Sequence, residues 1–408
     1  MKKVLLFFAI IFVTSLSAQN PICDGSRFLN PDFQVSTTLG VVFGNSTTFG
    51  GNNADLKMDI FEPSNDVATE RPVIILAYGG SFISGAREDM HAFCNYYAER
   101  GYVCATIDYR LYDGAFFPFP DSLDFTDVVI KAVSDMKAAV RFFREDAATT
   151  NTYKVDQNLI FVGGISAGGI VASHVGFLDL SDPIQAYIDP ILVANGGLEG
   201  NSSSNTQFSS DVAGVINFSG GIKDAAYIDP TDPPLFSVHD DGDDVVPYAS
   251  GNAAVFGIDI IYMHGSALMH AQALQSNVSS ELLTVSNSPA HVSYFQSTIG
   301  TDTVLNRSLE FLYPIVCSQL ASVNVNNLDN FKFYPNPAED YLKVDINSSN
   351  VSESRIVLYD MMGRIVLDEK LNGEKNTIRV SHLQSGSYRA CIVNQDLIEQ
   401  KSELIIIE

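Results

Sequence analysis

The chain has 408 residues, of which 46% are hydrophobic and 18% charged, so it has enough apolar material for two or three folded domains. Acidic residues number 48 against 24 basic ones, which gives a formal net charge of −24. This balance argues against binding to nucleic acid or to anionic lipid, since both require clustered lysine and arginine. Five cysteines are too few for a disulfide-built scaffold but enough for one or two bridges.

The first eighteen residues have the pattern of a secretory signal peptide. Lys2 and Lys3 precede the apolar stretch Val4–Val13, and small residues up to Ala18 form a cleavage region. The apolar stretch is about half of what a membrane-spanning helix needs, and no later stretch is longer. The sequence therefore predicts export without a transmembrane anchor, into a compartment that permits disulfides.

After an N-terminal segment (residues 19–54), residues 55–317 alternate short apolar runs with longer amphipathic ones, which predicts an α/β fold with a mostly parallel central sheet. Strands are predicted at Leu56–Phe61, Val73–Ala77, Val103–Asp108, Leu159–Val162, Val212–Phe218, Leu235–Val238 and Leu282–Val285. Helices are predicted at His91–Arg100, Phe125–Asp146, Gly168–Leu178, His270–Gln275 and Val292–Leu312. A polar stretch (178–212) interrupts this rhythm, and we expect it to be an insertion or lid over the site.

A candidate nucleophile, Ser166, lies in a G-x-S-x-G motif between an apolar strand and the start of a helix. Glycines two positions before and after the serine permit a sharp strand-to-helix turn that exposes the hydroxyl at the carboxyl edge of the sheet. The alternative is an ordinary glycine-rich turn between a strand and a helix. The position of the motif between the two elements favours the nucleophile.

Candidate oxyanion donors come from a second glycine-rich loop, Tyr78-Gly79-Gly80-Ser81-Phe82, which leaves the end of a predicted strand. The backbone N–H groups of Gly80, Ser81 and Ala167 are predicted to face a developing negative charge on a substrate oxygen. A simple tight turn is the alternative for this loop. Tyr78 and Phe82 are expected to shape the substrate pocket.

A serine hydroxyl needs a base, and His291 is the best placed of the seven histidines. It follows the predicted strand Leu282–Val285 and therefore lies at the carboxyl edge of the sheet, where α/β proteins bind ligands. The other candidates lie on helices or near a turn, where structural roles are commoner. They are His91, His174, His264 and His270.

The acid that orients the histidine is expected between the serine and the histidine, in an acidic loop after the predicted strand Leu235–Val238. Asp243 is the first choice and Asp244 the second, with the neighbouring carboxylates taken as solvated loop charge. A calcium loop starting at Asp240 is a weak alternative, because Gly251 stands where the motif requires glutamate. The order serine, aspartate, histidine is that of α/β-hydrolases.

Two disulfides are predicted from the positions of the cysteines. Cys94 on a helix and Cys104 on the following strand should lie at similar heights, at distances of roughly 9 and 10 Å from the connecting turn. Cys23 and Cys317 bracket residues 55–317 and could join the ends of that region. Cys391 is assigned to neither bridge, and five buried free thiols are the alternative to this scheme.

Beyond a linker (318–330), residues 331–408 show only short β-type runs separated by turns, which predicts a small all-β sandwich. Strands are predicted at Leu342–Ile346, Arg355–Tyr359, Ile365–Glu369, Thr377–Val380, Tyr388–Val393 and Leu404–Ile407. No group of residues in this region looks catalytic, so it is interpreted as a binding, sorting or stability module.

Residues 55–313 resemble an α/β-hydrolase esterase of the H-G-G-G group, which includes carboxylesterase-, lipase-, feruloyl-esterase- and acetyl-xylan-esterase-like enzymes. The matching segments are Tyr78-Gly79-Gly80-Ser81-Phe82, Asp108-Tyr109-Arg110-Leu111, Gly164-Ile165-Ser166-Ala167-Gly168-Gly169 and the stretch His239 to Pro247. Tyr78 replaces the usual first histidine and Ser81 the usual third glycine. The resemblance implies hydrolysis of a carboxylic ester, free or linked to polysaccharide, with no cofactor and no metal. A peptidase, a lipase and a catalytically weak surface-binding protein are the alternatives.

The C-terminal region resembles the sorting domain of type IX secretion. The resemblance rests on Phe333-Tyr334-Pro335-Asn336-Pro337-Ala338, Tyr359-Asp360-Met361-Met362-Gly363-Arg364 and Leu383-Gln384-Ser385-Gly386-Ser387-Tyr388. It implies that residues 331–408 engage the type IX machinery and that the protein crosses the periplasm of a Gram-negative bacterium to the cell surface or the medium. A carbohydrate-binding module is the alternative.

Overall fold

The structure is a computed structural model that describes residues 23, 25–321, 331–346, 355–359, 365–371, 373, 375–393 and 399–407. The chain divides into two compact units, Met1–Cys317 and Ser318–Glu408. The predicted signal peptide (1–18), the linker residues 322–330 and residues 360–364 of the second tail motif lie outside the described residues. Among the described residues, no helix combines the length and apolarity needed to cross a bilayer.

The first unit is built on an eight-stranded sheet with the strand order β1-β2-β4-β3-β5-β6-β8-β11. Its strands are β1 (Gln34–Thr47), β2 (Asn53–Ser64), β3 (Arg71–Ala77), β4 (Val103–Ile107), β5 (Val155–Ile165), β6 (Gly214–Phe218), β8 (Leu235–Asp240) and β11 (Ser280–Val285). β1 and β2 are antiparallel, and β2 is antiparallel to β4, whereas all the other pairs are parallel. The predicted mostly parallel sheet is thus confirmed, with an antiparallel edge.

The central strands are buried on both faces, because helices cover the sheet on each side. Every residue of β3, β4, β6 and β8 is buried. The helices are α1 (His91–Ala98), α2 (Ser122–Ala148), α3 (Ala167–Phe177), α4 (Asp189–Ala194), α5 (Ser266–Gln275) and α6 (Thr298–Ala321). α2 begins three residues before the predicted start, because the side chain of Asp121 caps it by accepting from the backbone N–H groups of Leu123 and Asp124.

The predicted N-terminal segment (19–54) contains β1, which pairs with β2 and forms the edge of the main sheet. The described part of this segment thus belongs to the first unit. A second small sheet was not predicted. It contains β7 (Gly221–Ile222), β9 (Ser250–Val255) and β10 (Ile258–Gly265), in the order β7-β10-β9.

Two contacts hold the ends of the first unit to its body. Cys23 forms a disulfide with Cys317, as the sequence predicts. Arg27 donates two hydrogen bonds to the carboxylate of Asp66, at 2.8 and 2.7 Å, and Arg71 donates a third at 2.9 Å. Burial alone would raise the pKa of Asp66, but these hydrogen bonds and the arginine charges lower it to about 2.

The predicted disulfide between Cys94 and Cys104 is wrong. The two cysteines do lie side by side on α1 and β4, but they are thiols, and the Cys104 Sγ–H donates to Cys94 Sγ at 3.1 Å. Both side chains are fully buried. Burial raises the pKa of the Cys104 thiol well above its ordinary value, which disfavours the thiolate needed for disulfide formation.

The second unit contains two antiparallel sheets, in agreement with the predicted all-β architecture. One has the order β12-β13-β16 and the other β15-β14-β17-β18. The strands are β12 (Phe331–Tyr334), β13 (Tyr341–Ile346), β14 (Arg355–Tyr359), β15 (Ile365–Lys370), β16 (Lys375–Arg379), β17 (Gly386–Val393) and β18 (Glu399–Ile407). Apolar side chains from both sheets form one core, to which Leu342, Leu358, Ile378 and Ile405 contribute.

Candidate active site

Ser166 lies between β5 and α3 with backbone angles of φ 55° and ψ −116°. A non-glycine residue with positive φ is strained, and such strain persists only where the surrounding structure enforces it. Here the Ser166 N–H donates to the carbonyl of Phe218 on the neighbouring strand at 2.8 Å, and the Ser166 carbonyl accepts from Ile170 in the first turn of α3. These bonds fix the turn and leave the hydroxyl at the carboxyl edge of the sheet.

Two glycines flanking the serine allow this turn because there is no room for side chains. A Cβ atom on Gly164 would collide with the Gly168 backbone, and one on Gly168 would collide with the Ala77 carbonyl oxygen. Neither approach is sterically allowed. The G-x-S-x-G pattern is therefore explained by close packing of the turn against β3.

The loop after β3 continues this close packing toward Ser166. Gly80, Ser81 and Phe82 all have positive φ, at 127°, 54° and 60°. Within the described part of the chain, the backbone N–H groups of Gly80, Ser81 and Ala167 donate to no protein group. Ser81 and Ala167 line the same cavity as Ser166. The proposed oxyanion residues thus carry unused donors near the serine, and Ser81 adopts the conformation for which glycine is usual.

His291 joins Ser166 to Asp243 by hydrogen bonds from its two ring nitrogens. Its Nε2 lies 2.7 Å from Ser166 Oγ, and its Nδ1 lies 2.6 Å from Asp243 Oδ2. Because an ionised carboxylate can only accept, Nδ1 carries the proton and Nε2 accepts from the serine hydroxyl. The histidine side chain is 18% exposed, while that of Asp243 is fully buried. The structure brings all three predicted residues together.

Several donors converge on the buried carboxylate of Asp243. Its Oδ1 accepts from the backbone N–H groups of Val245 and Val246, at 2.8 and 3.0 Å. Burial would raise the pKa of Asp243, but hydrogen bonds from His239 and His291 and the backbone donors hold it well below the usual range. Asp243 is therefore a fixed negative charge beside His291.

His239 is a part of the site that sequence reasoning missed. It lies at the end of β8 with Nε2 3.2 Å from Asp243 Oδ2 and 3.0 Å from the Val246 carbonyl oxygen. Its Nδ1 is 2.7 Å from Ser266 Oγ, which in turn accepts from the side-chain amide of Asn217 at 3.0 Å. This buried chain orients His239 toward Asp243. The signals in the sequence were its position four residues before the aspartate and its place at the start of the matching stretch His239 to Pro247.

The neighbouring aspartates have separate tasks, contrary to the expectation that they are only solvated loop charge. Asp240 is buried and accepts from both the backbone N–H and the hydroxyl of Ser293. Asp241 accepts from the backbone N–H groups of Asn287 and Ser288. Both therefore hold the loop that carries His291. Asp244 is exposed and makes none of these contacts.

The remaining histidine candidates have hydrogen-bond partners other than Ser166. His91 Nε2 contacts Asp59 at 2.8 Å, His264 Nδ1 accepts from the Ala225 N–H, and His270 Nδ1 contacts Ser280 Oγ. Burial lowers the pKa of His174 to about 4. Its Nε2 accepts from the Lys223 N–H while Nδ1 donates to the Ile170 carbonyl, so it is a neutral core residue.

A largely apolar cavity opens beside Ser166. It is lined by α2, α3, the β9–β10 hairpin and residues of the segment 184–198, which is part of the predicted insertion (178–212). Phe82 lines this cavity, but Tyr78 does not. The Tyr78 ring is buried and stacks on Tyr109 with ring centroids 4.4 Å apart, so it supports the loop from behind.

No group of three or more His, Cys, Asp or Glu side chains within the described ranges is arranged to hold a metal ion. In the acidic loop that could have been a calcium site, Asp240, Asp241 and Asp243 accept from protein groups instead. The chemistry available at this edge of the sheet is that of a hydroxyl, an imidazole and a carboxylate in one hydrogen-bonded line.

The parallel sheet, with a serine on its strand-to-helix turn and acidic and histidine loops at the same edge, defines an α/β-hydrolase. Residues 58–225 match the BD-FAE family, and residues 332–408 match the secretion system C-terminal sorting domain. The chain is therefore an ester hydrolase with a BD-FAE domain, followed by a sorting domain that directs secretion by the type IX route. Both resemblances seen in the sequence are confirmed.

Among solved structures, the chain is similar to esterase 2 of the planctomycete Thermogutta terrifontis. The native form shares 21% identity with a TM-score of 0.49, over 70% of this chain and 93% of that chain. The form phosphorylated by paraoxon shares 22% identity with a TM-score of 0.48, over 70% and 95%. The butyrate-bound form shares 21% identity with a TM-score of 0.48, over 71% and 97%. No curated protein matches the chain.

Proposed function

We propose that the chain is an exported serine esterase in which Ser166 is the nucleophile, His291 the general base and Asp243 the acid that orients it. The observation that carries this proposal is the line of hydrogen bonds from Ser166 Oγ to His291 Nε2, at 2.7 Å, and from His291 Nδ1 to Asp243 Oδ2, at 2.6 Å. Distances of this size permit direct proton transfer between the serine and the histidine.

In the first half of the reaction, Ser166 Oγ attacks the ester carbonyl carbon while His291 Nε2 takes the hydroxyl proton. The imidazolium is stabilised by Asp243, whose depressed pKa keeps it ionised and a pure acceptor. The carbonyl oxygen becomes an oxyanion and accepts from the unused N–H groups of Gly80, Ser81 and Ala167. His291 then returns the proton to the alcohol oxygen as the C–O bond breaks, which leaves an acyl-enzyme.

In the second half, water replaces the alcohol. His291 Nε2 takes a proton from the water as its oxygen attacks the acyl carbon. The tetrahedral intermediate then collapses, and His291 returns the proton to Ser166 Oγ to release the carboxylic acid. The sequence of steps uses only the residues described and needs no cofactor.

The substrate is a carboxylic ester outside the cell. The BD-FAE match supports ester decorations of plant polysaccharide as one substrate class, since this family name denotes feruloyl and acetyl xylan esterases. The sorting-domain match supports recognition of residues 331–408 by the type IX machinery. We propose passage through the periplasm of a Gram-negative bacterium, with release or retention at the cell surface.

The test compares Ser166→Ala and His291→Ala with the unchanged protein on a soluble chromogenic ester. Each variant should lose at least about 10⁴-fold in kcat, because removal of one member of such a set leaves only binding and oxyanion stabilisation. Ser173→Ala, a buried serine on the same helix whose hydroxyl donates to the Gly169 carbonyl, is the matched control and should keep its activity. Hydrolysis that survives in Ser166→Ala would overturn the proposal.

A further inference from the structure

The cavity beside Ser166 has two ends of different character. One end carries Ser81, Ser166 and Ala167, which belong to the proposed reaction centre, and the other carries Lys137 and Leu178. Phe125 and Lys137 both line it from α2, and twelve residues of helix span ~18 Å. Ile170, His174 and Leu178, spaced four residues apart along α3 and its C-terminal end, line the cavity in the same way. The cavity is therefore a channel that leads from the serine between two roughly co-directional helices.

The channel is long but narrow. Its volume is about 110 Å³, although it extends along about three helical turns. An engineered protein cavity of roughly 150 Å³ is compact enough to take one benzene ring. A cavity of similar volume that extends over ~18 Å has a small cross-section. Such a cross-section fits an unbranched chain better than a ring.

The walls offer few unused polar groups to a ligand. On α2, Thr126 Oγ1 donates to the Ser122 carbonyl, Ser134 pairs with the Ser202 hydroxyl, and Lys137 Nζ contacts Glu199 at 3.4 Å. On α3, both ring nitrogens of His174 are already bonded. The other lining residues of the two helices are apolar, so the helical walls favour a hydrocarbon group. Two polar residues outside these helices also line the cavity, Tyr227 and Lys223, and the Lys223 ammonium donates to the Tyr262 carbonyl.

The position of His291 decides which half of an ester enters this channel. In the proposed function, on which this step rests, His291 Nε2 must protonate the alcohol oxygen, so the alcohol lies on the histidine side of Ser166. His291 does not line the channel, whereas Ser81 and Ala167, the proposed oxyanion residues, do. The acyl half of the substrate therefore points down the channel, away from the histidine.

We infer that the channel is an acyl-binding site for an unbranched, saturated acyl chain of medium length, and that acetyl and feruloyl groups are the poorer substrates. Val129, Val133 and Ile170 contact the chain along its length, and the segment 184–198 covers it through Ile188 and Leu192. We take the end of this lining, at Lys137 and Leu178, as the limit of the acyl chain length.

The test uses the full-length exported protein and p-nitrophenyl esters, so that the alcohol is the same throughout. The acyl groups are acetyl, butyryl, octanoyl, palmitoyl and feruloyl, and kcat/KM is measured for each. Each methylene buried in the channel should raise kcat/KM by up to about fourfold. We expect octanoyl to exceed acetyl and feruloyl by at least tenfold.

A variant that fills the channel with a larger side chain tests whether the dependence of kcat/KM on chain length arises there. Val133→Phe should lower kcat/KM for octanoyl at least tenfold more than for acetyl, while Leu123→Phe, on the same helix but exposed and outside the channel, should change neither. Ile170→Phe is the second blocking variant, and far-UV circular dichroism with thermal unfolding shows whether each variant is folded. The chain-length series on the unchanged protein needs no variant at all.

The outcomes separate this inference from the proposed function. If acetyl or feruloyl esters match or exceed octanoyl, or if folded blocking variants lower acetyl and octanoyl alike, the acyl channel is overturned while serine-dependent hydrolysis stands. If no ester is hydrolysed in a way that Ser166→Ala abolishes, the proposed function itself is overturned.

Discussion

The two units of this chain bury different kinds of side chain. In the first unit the interior contains many polar and charged groups, among them Asp135, His239, Asp240 and Asp243. In the second unit, the described residues bury no side chain of this kind, and the core shared by its two sheets is aliphatic apart from the rings of two aromatic residues, Phe333 and Tyr388. Both units contain β-sheets with apolar interiors, so the two units differ in the polar side chains that they bury beside those sheets.

A buried polar group costs free energy unless it is hydrogen-bonded, so a fold keeps such groups where their geometry matters. In the first unit His239, Asp240 and Asp243 lie at the carboxyl edge of the sheet, beside the loop that carries His291, and each has hydrogen-bond partners there. The second unit is, in our proposal, recognised by the type IX machinery, and the described part of its core is held together by apolar packing. Replacement of single polar side chains should therefore damage the first unit far more than the second.

The sharpest test of this contrast compares two adjacent aspartates. Asp243→Asn should lower kcat by about 10⁴-fold, because an amide favours the wrong tautomer of His291. Asp244→Asn, at an exposed position, should stay within about twofold of the unchanged protein, as surface changes usually do. Steady-state kinetics on one soluble ester measures both. Equal activity of the two variants would remove Asp243 from the proposed mechanism.

A smaller effect is expected at His239, which contacts Asp243 but not Ser166. His239→Phe should lower kcat by about 10²-fold, because Asp243 loses a donor and a displacement of ~1 Å at the reacting groups is enough for such a loss. KM should change little. His239→Gln keeps a donor and should recover part of kcat, whereas a purely structural role predicts equal losses in both variants together with a lower melting temperature.

Asp66 is a buried polar group that lies away from the reaction centre and has no part in the proposed reaction, so its replacement tests the contribution of such a group to stability. Its pKa of about 2, against an ordinary value of 3.8, stabilises the fold by about 2 kcal/mol at neutral pH. This contribution is present above pH ~4 and is lost as the pH falls toward 2, since the folded-state pKa is depressed.

Asp66→Asn should therefore reduce the free energy of unfolding by about 2 kcal/mol at pH 7 and by clearly less at pH 3. Urea unfolding at both pH values measures the difference, and Asp302→Asn, an exposed aspartate on α6, is the control. If the loss of unfolding free energy in Asp66→Asn, relative to Asp302→Asn, is as large at pH 3 as at pH 7, then packing and not charge dominates at Asp66.

The smallest effect on hydrolysis is expected from removal of the second unit. A chain ending at Asn324 keeps Cys317 and every proposed reaction residue, so kcat/KM on a soluble ester should stay within about twofold. Export in a host with type IX secretion should fail. Normal export combined with lost binding to polysaccharide would instead make the second unit a carbohydrate-binding module.

The sequence was sufficient to locate Ser166, His291 and Asp243, because each follows a predicted strand and so falls at the same edge of a parallel sheet. It was not sufficient for β1, whose half-exposed edge position and two register irregularities blur the apolar alternation. The tasks of His239, Asp240 and Asp241 depend on contacts with distant loops, which local patterns do not encode. For Cys94 on α1 and Cys104 on β4, the spacing in the sequence predicted that the two side chains lie close together, but it did not predict whether they form a disulfide.

Cys23 and Cys317 are 294 residues apart in the sequence, and the disulfide between them closes the intervening chain into a covalent loop. The predicted signal cleavage at Ala18 and any loss of the tail from about Val325 both lie outside this loop, so processing at either end leaves it whole. A protease that cuts once within the exposed parts of segment 178–212 would produce no separate fragment, because the two halves remain joined through sulfur. A protein working outside the cell thereby tolerates a nick that would divide an open chain.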